Sequence, residues 1–73
     1  MKRLSNAKVG EVVRVLKVEG DAKLKKRLLD MGIISGTEIR VVRNAPLKDP
    51  VEFELRGYKL SLRKNEAEFV LVE

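Results

Sequence analysis

The chain has 73 residues, with sixteen Lys and Arg against eleven Asp and Glu for a net charge of +5. That length holds one domain, and a core of this size rarely supplies more than about 3–5 kcal/mol of net stability. Cysteine and histidine are both absent, which removes disulfides, thiolate metal ligands, and the commonest general base and metal ligand.

Residues 1–8 are polar and read as a loosely held lead-in, with Leu4 as the only sizeable anchor. Met1-Lys2-Arg3 is basic, but no apolar h-region comes after it, so it is not a secretory signal. Gly10 then opens "EVVRVLKV", where four valines and a leucine in eight residues favour a strand. Val12-Val13 and Val15-Leu16 are adjacent apolar pairs, which a β-bulge or a strand buried on both sides would explain. Gly20 ends this strand and Asp21 is a suitable helix N-cap. From 21 to 31 the apolar residues Leu24, Leu28 and Met31 share one helical face at roughly 100° per residue. Leu29 lies off that stripe, and Lys23, Lys25, Lys26 and Arg27 fill most of the remainder. Gly32 stands where a left-handed residue closes a helix.

The stretch "RLLDMGIISG" resembles the first helix and turn of a DNA-reading helix-turn-helix. The residues after Gly36 argue against it. "TEIRVVR" alternates, with Thr37, Ile39 and Val41 on one face, whereas a recognition helix needs helix formers at a 3.6-residue period. "NAPLKDP" (44–50) is a loop punctuated by Pro46 and Asp49-Pro50. "VEFEL" points Val51, Phe53 and Leu55 inward, Arg56-Gly57 forms a two-residue turn, and "YKLSL" points Tyr58, Leu60 and Leu62 inward. "RKNEAE" is polar with one helical turn around Ala67, and "FVLV" is a closing strand.

The expected fold is mainly β: a small SH3-like antiparallel barrel of about five strands, with one α-helix between the first two. Its core should comprise Val13, Val15, Leu24, Leu28, Ile39, Val41, Phe53, Leu55, Leu60, Leu62, Val70 and Val72.

The residues also resemble a known family. Leu28 through Met31-Gly32, Gly36 just before a strand, and the Ala45-Pro46-Leu47 loop are similar to FeoA, the small partner of bacterial ferrous iron transport. Asp49-Pro50, Gly57-Tyr58, Leu62-Arg63 and Ala67 complete the match, which runs over residues 9–72. The same module ends iron-dependent repressors, but no winged-helix domain precedes it here, which favours the stand-alone form. The resemblance implies an SH3-like barrel in the cytoplasm. It would bind the cytosolic GTP-binding portion of the membrane iron permease FeoB and modulate Fe²⁺ uptake, without itself moving or oxidising iron.

Chemistry narrows the candidate residues. The serines have no histidine to activate them, and no pair of acids is marked for acid–base work. No catalytic, cofactor-binding or metal-ligating residue is therefore assigned, and the chain reads as a non-enzyme. Glu52, Glu54, Glu66, Glu68 and Asp49 read as a solvated face and a loop cap, or else as a weak cation site if several converge. Residues 23–27 read as the wet side of an amphipathic helix, or as a face that docks with Leu29 onto an acidic patch of the permease. In the 44–50 loop, Leu47 either folds back as a lid or stands exposed as a contact. The candidate partner-binding residues are Lys23, Lys26, Leu29, Leu47 and Tyr58. Tyr58 is placed with its ring inward and its hydroxyl near the surface.

The basic surplus would also suit RNA or single-stranded DNA, the alternative function. Such surfaces stack bases on exposed aromatics, and Phe53 and Tyr58 hold inward positions here. No apolar run approaches the ~18–20 residues of a membrane span. The expectation is a cytoplasmic protein without direct membrane insertion, with weak homo-oligomer formation left open. Abundant Lys, Arg and Glu with no Gln, Cys or His also fit a thermophilic source.

Overall fold

The computed structural model describes residues 2–73. In chain order the elements are β1 (Lys2–Arg3), a 3-10 turn (Leu4–Asn6), β2 (Val12–Val18), α1 (Ala22–Asp30) and β3 (Glu38–Asn44). They continue with β4 (Val51–Leu55), β5 (Tyr58–Leu62), α2 (Lys64–Ala67) and β6 (Val70–Val72). The six strands form one antiparallel sheet in the order β1-β6-β2-β3-β4-β5.

The sheet bends at β2, which serves both halves. Val12, Val13 and Arg14 pair with β3, while Val15, Lys17 and Val18 pair with β6. The register slips between Val15 and Lys17, so the adjacent Val15-Leu16 pair marks a bulge that turns the strand, whereas in Val12-Val13 the first residue is simply exposed. β3 carries a second slip between Val41 and Arg43.

Three expectations are corrected. The sheet has six strands instead of five, and it is not closed, because its edge strands β1 and β5 do not pair with each other. The long helix therefore lies between the second and third strands, while α2 is the helical turn expected around Ala67. Residues 2–8 are not a loose lead-in, and Met1 lies outside the described residues. Lys2 and Arg3 pair with Val72 and Leu71, and Leu4 is 1% exposed. Two polar residues carry no strand period; their order comes from a partner strand at the other end of the chain.

Side-chain pairs hold this edge. Lys2 donates to Glu11, and Arg3 to Glu19 at 2.9 Å. The Lys2 ammonium, and then the Lys8 backbone amide, hold the Glu11 carboxyl below its ordinary value of 4.5. Arg3 does the same for Glu19. A depressed carboxyl stabilises the fold above its ordinary pKa, and that contribution is lost as pH falls through the lowered value. On acidification below about pH 4, β1 should loosen before the centre of the sheet does. Heteronuclear NOEs at Lys2 and Arg3 should drop while those of β4 hold; a simultaneous drop would reject the assignment.

α1 follows its sequence closely. The Asp21 side chain accepts from the Leu24 amide at 2.8 Å, as an N-cap does. Leu28 is completely buried, with Leu24 and Met31 partly buried beside the core. Gly32, at φ +92°, ends the helix. The core otherwise comprises the expected strand residues, with Leu60 only partly buried at the sheet edge. Leu4, Ile33, Val51, Ala67 and Leu71 are buried as well.

Candidate docking surface

The exposed face of α1 is ordered by helical geometry. Leu29 is 48% exposed. Lys25 and Lys26 lie four and three positions before it, so they flank it one turn back. Lys26 is occupied by Asp30 at 3.1 Å. Arg27 pairs with Glu66 and ties α1 to α2. Lys23 and Lys25 have no carboxylate partner among the described residues, which leaves the helix with two free cations.

Tyr58 joins this surface by an unexpected route. Its ring was expected inward, yet the residue is 43% exposed. It opens β5, an edge strand, opposite the buried Leu55, and its hydroxyl donates to the Met31 carbonyl at the close of α1. The ring lies against Gly32, where a Cβ would collide with the hydroxyl.

Lys23, Lys26, Leu29 and Tyr58 thus gather on or beside α1. Leu47 does not join them. Its loop leaves the sheet beside the Val51–Leu62 pair, whereas Tyr58 pairs with Leu55 at the other end of the hairpin. Four residue steps along the strand separate these pairs by about 14 Å. Leu47 is 90% exposed, so the loop is no lid. It is nevertheless well held: the Lys48 amide donates to the Ala45 carbonyl at 2.7 Å, and the Ala45 amide to the Pro50 carbonyl at 3.0 Å. The concavity beside it is lined by Arg43, Asn44, Ala45, Pro46, Pro50, Glu52 and Ser61, with no aromatic ring, unlike a polyproline groove.

The candidate acids are all occupied by neighbours. Glu54 pairs with Arg40, and Glu52 with Arg43 at 3.1 Å, each across β3 and β4. Glu66 accepts from the Arg63 amide at 2.9 Å, Asp49 from the Lys64 amide at 2.9 Å, and Glu68 from the Ser5 hydroxyl at 2.8 Å. Among the described residues, no three acids come together as a cation site.

Sequence reasoning missed Phe69, which is 39% exposed. It stands at the opposite end of α1 from Tyr58, where a Cβ on Gly20 would come within 3.4 Å of its ring. It was expected to open the closing strand, but β6 starts at Val70, and a run with no alternation left no sign of which side Phe69 would take. With Phe53 buried and these two rings at opposite ends of a helix, the described aromatics form no continuous stacking platform. No described helix is long and apolar enough to cross a membrane.

A single antiparallel sheet bent around one core, with a helix before its third strand, is the architecture of a small SH3-like domain. The chain belongs to the FeoA family: it matches the FeoA domain over residues 2–73. It is 41% identical over 71 residues to an Fe²⁺ transport protein A/Fe²⁺ transporter FeoB fusion protein of Porphyromonas gingivalis. That match takes in 97% of this chain but only 8% of the fusion protein. The NMR structure of a FeoA-like protein from Clostridium acetobutylicum superposes with a TM-score of 0.89 at 41% identity, over 100% of this chain and 88% of that one. The zinc complex of FeoA from Stenotrophomonas maltophilia, described as a prokaryotic SH3 domain protein, gives 0.81 at 23% identity, over 100% of this chain and 91% of that one. At that identity the likeness is one of fold.

Proposed function

We propose that this chain is a non-enzymatic, cytoplasmic accessory domain that docks on the cytosolic GTP-binding portion of FeoB and thereby modulates Fe²⁺ uptake. The observation that carries this reading is the fusion protein, in which a region 41% identical to the chain shares a polypeptide with FeoB. Joining two modules raises the effective concentration of each for the other, an arrangement that suits partners that work in contact.

The α1 face is the surface best suited to the contact. Leu29 supplies an apolar centre, Tyr58 stands at the close of the helix on the Met31 carbonyl, and Lys23, Lys25 and Lys26 form a basic rim. Rim charges mainly speed encounter, whereas buried apolar groups slow release. Lys23→Glu with Lys25→Glu should reduce the association rate with the FeoB cytosolic domain about tenfold at low salt. Lys26→Glu should do less, because Lys26 is engaged by Asp30. Leu29→Asp should act chiefly on the dissociation rate. Biolayer interferometry at two ionic strengths separates these effects. An association rate untouched by the double charge reversal would remove α1 from the contact.

A further inference from the structure

The segment "RGYKLSLRK" (56–64) carries four cations and no acid, and the α1 surface absorbs only its tyrosine. It contains β5, an edge strand of the sheet. Arg56 at φ +50° and Gly57 at φ +84° form the two-residue turn between β4 and β5. Such a turn makes Leu55 and Tyr58 a hydrogen-bonded pair. Bonding then alternates along an antiparallel strand. Tyr58, Leu60 and Leu62 therefore bond β4, and the backbone groups of Lys59 and Ser61 point away from the sheet. Among the described residues no turn or cap bond reaches those groups. The free edge stops beyond Ser61, where the Arg63 amide is taken by Glu66 and the Lys64 amide by Asp49.

From this edge we infer that β5 accepts an extended protein segment of alternating acidic and apolar residues as a further strand. Backbone bonds to Lys59 and Ser61 supply the pairing. On the outer face, Lys59 meets a carboxylate of the incoming strand; Lys59 has no carboxylate partner among the described residues. On the inner face, an apolar residue covers the part of Leu60 that the sheet leaves open, since Leu60 is only partly buried. A second copy of this chain is the wrong occupant. Neither another β5 nor the Lys2–Arg3 edge carries an acid, so either pairing would leave Lys59 without a carboxylate. The inference stands whether or not α1 is the FeoB contact, because it concerns a different element.

The test titrates the ¹⁵N-labelled full chain with the capped peptide Val-Glu-Val-Glu-Val at millimolar concentration. A copy N-methylated at alternate residues, a Val-Lys-Val-Lys-Val peptide and a single-stranded oligonucleotide run in parallel. With the acidic peptide, the Lys59 and Ser61 amides shift and their hydrogen exchange slows. The N-methylated and basic peptides leave them unmoved. Ser61→Pro removes an outward donor and should weaken binding about tenfold. Because that variant could disturb the strand, Lys59→Glu serves as a second. It should weaken the acidic peptide about two- to fivefold and strengthen the basic one. Equal binding of the N-methylated peptide would reduce the effect to charge attraction and overturn the inference. So would an oligonucleotide that moves these amides when the acidic peptide does not.

Discussion

Phe53→Ala should remove most of the stability of this domain. Phe53 is 1% exposed at the centre of β4, with Val41 opposite on one side and Leu60 on the other. Truncating a buried phenylalanine costs about 3–5 kcal/mol through lost transfer energy and the cavity left behind. A core this small supplies a net stability of similar size, so little is left to oppose chain entropy. Urea titration followed by far-UV circular dichroism should show a midpoint displaced toward zero, and amide dispersion in the NMR spectrum should shrink. Phe53→Leu conserves most of the volume and should cost less than about 1.5 kcal/mol, leaving the transition cooperative. A Phe53→Ala transition close to that of the parent chain would mean that the core does not centre on β4.

Gly32→Ala should cost about 2–3 kcal/mol from two sources. Alanine at φ +92° is strained, which costs about 1–2 kcal/mol. The new Cβ also collides with the Tyr58 hydroxyl and breaks its bond to the Met31 carbonyl, worth about 1 kcal/mol. Tyr58→Phe alone should cost only that last amount. The double variant is the decisive measurement. Once the hydroxyl is gone there is neither a bond to break nor an atom to strike, so the two costs should fall short of additive by about 1 kcal/mol. Denaturant midpoints of the four proteins form the cycle. Strict additivity would show that Tyr58 and Gly32 do not meet, and that the end of α1 is held some other way.

Much of the fold was legible because its signals are local. "VEFELRGYKLSL" has a period of two on both sides of a glycine turn, and the structure pairs it in the register that pattern requires. The apolar stripe of Leu24, Leu28 and Met31 after Asp21 produced α1 where it was expected. The adjacent Val15-Leu16 pair of β2 announced its bulge. β1 had no such signal: two polar residues become a strand only because Val72 and Leu71 lie beside them. Tyr58 keeps the inward alternation of its strand, on the same face as its buried partner Leu55, but β5 is an edge strand and leaves it 43% exposed.

From the residues alone come the antiparallel hairpin, the amphipathic helix with its basic exposed side, and the lack of histidine and cysteine chemistry. Each depends on composition or on side chains within a turn or two of one another, and backbone geometry turns such spacing directly into a face. Only the tertiary structure decided that Leu47 stands exposed on its loop, that Glu66 occupies Arg27, and that β1 and β5 are the sheet's free edges. Those outcomes depend on which distant segments meet when the bent sheet wraps its core, and a local period carries no information about that meeting.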